Sequence, residues 1–203
     1  MADLERFLHD GDQPYPTLVK AALAHVQFET IHPFLDGNGR LGRLLIAFIL
    51  HHEGMLSRPL LYLSLYFKEH RDRYYDLLDA VRREGDWEQW LDFFLEGVEH
   101  TAVNAVDTAR RLVALFGEDE ARIQGLGRSA GSVLRVFQAL CRRPIISINQ
   151  IREQTGLSYP TASKGVEALE RLGIVRELTG RKRNRIYAYR RYIEILNEGA
   201  EPL

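Results

Sequence analysis

One junction constrains the fold more than any other feature of the chain: a glycine-punctuated turn, Gly37-Asn38-Gly39, runs directly into the apolar stretch Leu44-Leu45-Ile46-Ala47-Phe48-Ile49-Leu50. A helix that begins near Asn38, carries Leu41 to Leu50 and ends near Gly54 has apolar side chains nearly all round, so it is expected to be a central helix wrapped by others. Gly54 suits the left-handed residue that closes such a helix. The apolar run is far shorter than the roughly 20 residues of a helical membrane span. The expectation is therefore a helical bundle in water, with no membrane partner.

The segments around it supply the wrapping. Thr17 to Phe28 contains helix formers throughout, with Pro14 and Pro16 ahead of it and Pro33 to stop it. Leu60 to Arg83 reads as one or two helices. Asp86, with Gln89 three residues on, resembles a capping box opening a helix that carries Trp87, Trp90, Phe93 and Phe94 and ends at about Phe116. Gly117, Gly125, Gly127 and Gly131 then punctuate a polar stretch, and a domain boundary is expected at about 127, giving domains 1–126 and 127–203. Helices are expected near Ser132 to Arg142, Ser147 to Gln154 and Ser158 to Gly173. Two β-like runs follow, Ile174 to Leu178 and Arg185 to Tyr189. Three helices and a hairpin give the order of a winged helix-turn-helix. The predicted fold class is mainly α, a helical bundle followed by a small α+β winged helix-turn-helix domain.

Charge supports two modules. Residues 1–122 hold 13 Lys+Arg against 21 Asp+Glu, a balance of −8, whereas residues 123–203 hold 14 against 7, a balance of +7. Field sign selects polyionic partners, so the front and back are expected to meet different ones. With 45% hydrophobic residues in 203, wholesale disorder is excluded. Cys141 is the single cysteine, which excludes an internal disulfide and a multi-cysteine zinc site. The N-terminus, Met1-Ala2-Asp3-Leu4-Glu5-Arg6, lacks the basic and apolar regions of a secretory signal, and the expected compartment is the cytoplasm.

The densest chemical signal is His32-Pro33-Phe34-Leu35-Asp36-Gly37-Asn38-Gly39-Arg40-Leu41-Gly42-Arg43. A glycine-flanked turn opening a helix presents unpaired N–H groups and the positive end of the helix dipole, an arrangement that binds phosphate. Gly37 and Gly39 admit close approach of a ligand, and the Asn38 amide can add a donor. Arg40 and Arg43, three apart on one face, can clamp adjacent phosphates. Asp36 stands where Mg²⁺ on phosphate oxygens needs a carboxylate. His32 can take a proton from an attacking hydroxyl, imidazole being the side chain most often used as a general base. Together these residues suit transfer from a nucleoside triphosphate to a hydroxyl.

This string resembles the Fic (filamentation induced by cAMP) family signature His-Pro-Phe-x-x-Gly-Asn-Gly-Arg-x-x-Arg at every fixed position. Flanking text similar to bacterial members includes Ala22 to Ile31, Tyr62-Leu63-Ser64, Arg71, Tyr74-Tyr75 and Gly85-Asp86-Trp87. The resemblance covers about residues 3 to 116. It implies protein adenylyltransfer, in which AMP moves from ATP to a Ser, Thr or Tyr hydroxyl of a target protein. His32 would be the base and Asp36 the Mg²⁺ ligand, with Gly37, Asn38 and Gly39 as the α-phosphate anion hole and Arg40 and Arg43 holding the outer phosphates. The Doc-type kinase branch has Lys at the position of Gly39 and lacks the last Arg, so AMP transfer is favoured over phosphate transfer. Tyr74 and Tyr75 fall where some relatives contact adenine, with aromatic core as the alternative reading. Relatives also carry an upstream β-hairpin flap and many an inhibitory Ser/Thr-x-x-x-Glu-Gly/Asn helix. Neither is found in this sequence, and a fragment of a longer protein is the favoured explanation.

In the basic module, the start of the third helix offers Tyr159, Thr161, Ser163 and Lys164 to a DNA groove, and the hairpin tip offers Arg181, Lys182, Arg183 and Arg185. The pattern is similar to winged-helix domains found C-terminal to Fic domains, which also serve in dimerisation and docking. DNA and a second copy of the chain are thus further candidate partners. The alternative function is a nucleotide-sensing, DNA-binding transcription regulator; transfer or removal of another nucleotide at the same site is a third. His25 and Glu29, spaced i and i+4, read as a hydrogen-bonded helix pair, Trp87 and Trp90 as core anchors, and Cys141 as a small core residue.

Overall fold

A computed structural model describes residues 1–9, 15–57, 62–181 and 184–198. The fold is mainly helical with one small three-stranded sheet, and it divides into two compact units, Met1–Ala105 and Val106–Leu203.

The first unit contains α1 (Ala2–His9), α2 (Thr17–Ile31), α3 (Asn38–His52), α4 (Leu63–Glu69), α5 (Arg71–Glu84) and the beginning of α6 (Trp87–Gln124). Pro16 caps α2 at its start, and at its end His32 adopts a left-handed conformation, φ 49° and ψ 55°, with its N–H bonded to Phe28 O. Ala21, Ala22 and Ala24 are fully buried on α2 among Ile46, Ile49 and Leu50 of α3 and Trp90, Phe93 and Phe94 of α6. The Trp90 indole N–H donates to Ala22 O at 3.2 Å, which satisfies its polar atom inside an apolar core. A largely buried Lys20 bonds Glu53 beyond the end of α3 at 2.9 Å.

Helix α3 is not buried all round. Ile46, Ile49 and Leu50 face the core, whereas Leu41, Leu44 and Phe48 are 40, 43 and 51% exposed. Those three lie at i, i+3 and i+7, so the exposed residues form one apolar stripe. Composition alone does not distinguish such a stripe from a second packed face.

The second unit continues α6 and adds a 3₁₀ turn (Gly127–Ser129), α7 (Ala130–Arg142), β1 (Ile145–Ser147), α8 (Ile148–Thr155), α9 (Tyr159–Arg171), β2 (Val175–Glu177), β3 (Ile186–Tyr189) and α10 (Arg190–Asn197). The sheet order is β1-β3-β2, antiparallel throughout, with Ile146 opposite Tyr187 and Arg176 opposite Ala188. Ser147 caps α8 in a reciprocal capping box with Gln150, and Ser158 caps α9 through Thr161. Helix α9 lies close to α7 at Gly165, where a Cβ would come within 2.7 Å of Val136 Cγ2.

Helix α6 extends past Phe116 to Gln124, with Gly117 inside it. Leu115 and Ile123 are buried in the second core with Val136, Leu140 and Leu169, and this burial holds the helix beyond the glycine. The compact units consequently divide within α6, ahead of the glycine-bearing stretch expected to separate them. Strand β1 and helix α10 also go beyond the sequence reading. β1 is three residues long and is defined by pairing with β3, about 40 positions away, so it has no local signature.

Candidate active site

The candidate site is the turn from α2 to α3. His32 ends α2 in the left-handed region, uncommon for a residue with a Cβ. Residues 34–36 bend, and Gly37, at φ 83°, precedes the first turn of α3. The Asn38 side chain fixes this loop from inside. It is buried, its Oδ1 accepts from Phe34 N at 2.9 Å, and its Nδ2 donates to Phe34 O at 2.6 Å. The Asn38 amide expected to reach a ligand is therefore committed to the loop itself. The backbone N–H groups of Asn38, Gly39 and Arg40, in the first turn of α3, have no partner within the helix.

Both arginines return over this turn. A Cβ built on Gly37 would lie 3.5 Å from Arg40 Nη2, and one on Gly39 would lie 3.2 Å from Arg43 Nη1. The guanidiniums thus flank the helix start, where backbone glycine leaves them room. Arg43 Nε also donates to Ser64 Oγ at 3.2 Å, a contact from α4 that the motif spacing does not reveal. Asp36 accepts from Gly37 N at 2.6 Å, and its other oxygen is 3.6 Å from Arg40 Nη2. Its side chain is almost wholly exposed, so this ion pair is a weak surface contact from which the carboxylate is readily released. His32 is exposed as well.

Behind the loop lies a buried polar layer. His25 is inaccessible to solvent, its ring stacked on Phe67 and Trp90, and its Nε2 is 2.9 Å from Tyr74 Oη. Burial holds the His25 pKa down at about 4. Glu29 does not pair with His25 as the i, i+4 spacing suggested: its Oε1 and His25 Nδ1 are both buried without a partner. Burial raises the Glu29 carboxyl above the usual range, opposed by the nearby charges of Arg43, His32 and Arg82.

Tyr74 belongs to this layer, so its ring is core and unavailable to stack on a base. Tyr75 is 55% exposed, with the Arg71 guanidinium 5.8 Å from its ring centroid. Trp90 is a core anchor as expected, but Trp87 is partly exposed because it opens α6 at the surface. Cys141 is half-buried, its thiol pushed up to about 12 chiefly by burial, which leaves it un-ionised near neutral pH.

Residues 1–50 match the Fic/DOC family. The matching segment contains the whole turn from His32 to Arg43. Over 123 residues the chain is 35% identical to the protein adenylyltransferase Fic of Culex quinquefasciatus, covering 56% of this chain and 23% of that protein. Over 81 residues it is 41% identical to the protein adenylyltransferase Fic of Aedes aegypti, covering 40% and 15%. The chain therefore spans less than a quarter of the length of these curated relatives. A crystal structure of a Fic family protein from Desulfovibrio desulfuricans G20 superposes with a TM-score of 0.51 at 23% identity, covering 93% of this chain and 53% of that one. That likeness concerns the fold.

In the second unit, Tyr159 and Lys164 are exposed at the start of α9, and the Arg152 guanidinium lies 5.9 Å from the Tyr159 ring centroid. Thr161 is engaged with the Ser158 cap, and Ser163 Oγ donates to Glu167 at 3.1 Å. Arg181 and Arg185 are exposed, with Arg185 Nε bonded to Arg181 O at 2.8 Å. Lys182 and Arg183 lie outside the described residues.

Proposed function

We propose that the chain is the nucleotide-transferring part of a protein adenylyltransferase, moving AMP from ATP to a Ser, Thr or Tyr hydroxyl of a target protein. One observation carries this reading: inside the Fic/DOC-matching segment, an exposed imidazole and an exposed carboxylate lie on the loop that leads into a helix start with three N–H groups lacking helical partners and two flanking guanidiniums. In the mechanism, His32 accepts the proton of the attacking hydroxyl as that oxygen bonds to the α-phosphorus and pyrophosphate leaves. The N–H groups at the start of α3 stabilise charge on the α-phosphate oxygens. Arg40 and Arg43 hold the departing pyrophosphate, and Ser64 steadies Arg43. Tyr75 is the remaining aromatic candidate beside the base.

Asp36 is the residue that holds Mg²⁺ in this reading. A lone exposed carboxylate suits an ion that keeps several waters and takes other ligands from phosphate oxygens. When bound, the ion neutralises phosphate charge. The test is transfer of label from α-labelled ATP to protein in a lysate, comparing the wild type with His32→Ala. Loss of label with retained ATP binding supports the assignment; equal labelling by the variant removes it.

The exposed start of α9 favours a second reading for the back unit, a winged helix that binds DNA through Tyr159, Lys164, Arg181 and Arg185. Fluorescence anisotropy with a labelled duplex tests it. Tighter binding at low salt, weakened by Lys164→Ala and Arg181→Ala, is expected if phosphates are contacted. The single free cysteine suits a reducing cytoplasm.

A further inference from the structure

The end of α2, just before His32, is held by a residue 50 positions further along the chain. Arg82, on α5, donates from Nη2 to Glu29 O at 2.8 Å and from Nε to Thr30 Oγ1 at 3.2 Å. Thr30 Oγ1 in turn donates to Val26 O at 2.8 Å, while His32 N donates to Phe28 O at 3.0 Å. Three consecutive positions at the end of α2 are thereby occupied, two of them by one guanidinium fork. A cation at a helix C-terminus is favourable in itself, because the unpaired carbonyls there carry partial negative charge. Helix α5 reaches α2 at a second point, through Tyr74 and His25, so Arg82 is the outer of two polar links between these helices.

His32 occupies a left-handed backbone conformation that a residue with a Cβ adopts only where its surroundings impose it. Those surroundings are the Phe28 carbonyl behind it, Pro33 ahead of it and the Arg82 fork one turn below. We propose that Arg82 is a positioning residue for His32, fixing the end of α2 so that the imidazole stays aligned with the acceptor hydroxyl. The inference rests on the reading of His32 as the general base. Arg82 itself touches neither nucleotide nor acceptor in this account.

The experiment uses the full chain and two readouts. In Arg82→Ala, kcat for AMP transfer falls roughly 10- to 100-fold while ATP affinity by calorimetry changes less than about twofold, since displacement of a reacting group by about 1 Å costs on the order of 100-fold. Independently of activity, the His32 imidazole Cε1–H NMR signal, assigned by its loss in His32→Ala, moves or broadens in Arg82→Ala. Arg82→Lys, which retains one donor, recovers part of both changes and serves if the alanine variant fails to fold. Arg83→Ala is the control, since Arg83 pairs with Asp79 on the surface at 3.0 Å. An unchanged His32 signal, or ATP affinity that falls in step with rate, overturns the proposal. If the wild type transfers no AMP, the reading of function fails, and the NMR signal still decides whether Arg82 positions His32.

Discussion

Tyr189 Oη donates to Asp119 Oδ2 at 2.6 Å across the interior of the second unit, joining the end of β3 to α6. Asp119 is fully buried and also accepts from Arg122 Nη1 at 2.6 Å, while Arg122 Nη2 bonds Leu172 O at the end of α9. One carboxylate thus ties α6, the sheet and α9 together. Tyr189→Phe and Asp119→Ala are each expected to destabilise the unit by about 1–3 kcal/mol, the first by leaving Asp119 one partner short and the second by leaving the buried Tyr189 hydroxyl unpaired while half-exposed Arg122 turns to water. Urea unfolding of the full chain, followed by circular dichroism, measures both. Burial also raises the Tyr189 hydroxyl above its ordinary range. Its stabilisation is complete below about pH 10 and is lost as pH rises beyond that.

Acid sensitivity is expected to come from His25. Its pKa is lowered to about 4 by burial, whereas the unfolded chain titrates near 6.5. The unfolded state binds the proton more tightly, so stability is complete above about pH 6.5 and falls as pH drops toward 4, by about 3 kcal/mol in all. Glu29, raised by burial, acts in the opposite sense, with stability complete at low pH and decreasing as the unfolded carboxyl ionises. In a comparison of thermal midpoints between pH 7 and 4.5, His25→Gln should show a shallower decline than wild type. Equal slopes would locate the acid sensitivity elsewhere.

Gly165→Ala tests the approach of α9 to α7. Alanine gains about 1 kcal/mol of helix propensity, but its Cβ would meet Val136 Cγ2 at 2.7 Å. Overpacking of this kind costs about 1–3 kcal/mol, and net destabilisation is expected. Val136→Ala should restore most of it in the double variant, measured as a coupling energy.

Asn38→Ala tests the internal brace of the loop that leads into α3. Removal of the side chain leaves the Phe34 N–H and C=O without their partner. ATP affinity by calorimetry is expected to fall about tenfold or more, the equivalent of at least about 1.4 kcal/mol. Unchanged affinity would mean that the loop holds its shape without this contact.

Much of this arrangement was legible in the chain. Pro16, Pro33 and the glycines placed α2 and α3 within a residue or two, and the string from His32 to Arg43 identified the turn because its groups are local in sequence. What was not legible is nonlocal. Arg82 meets Glu29 across 53 positions, Ser64 meets Arg43 across 21, and β1 exists only by pairing with β3. Tyr74 and Tyr75 are adjacent, and only helix phase separates the core ring from the exposed one. The i, i+4 spacing of His25 and Glu29 suggested a pair, whereas the imidazole partner is Tyr74 on another helix, at Nε2, and Nδ1 and Glu29 Oε1 stay unpaired.

The most direct test of the central claim is intact mass of a susceptible target protein after incubation with this chain, Mg²⁺ and ATP, beside His32→Ala. The account predicts a covalent gain of one AMP that appears with wild type and falls by roughly 10²- to 10⁴-fold in rate with the variant, the usual contribution of a positioned base. Addition that proceeds equally with His32→Ala, or a gain of one phosphate in place of AMP, would contradict it.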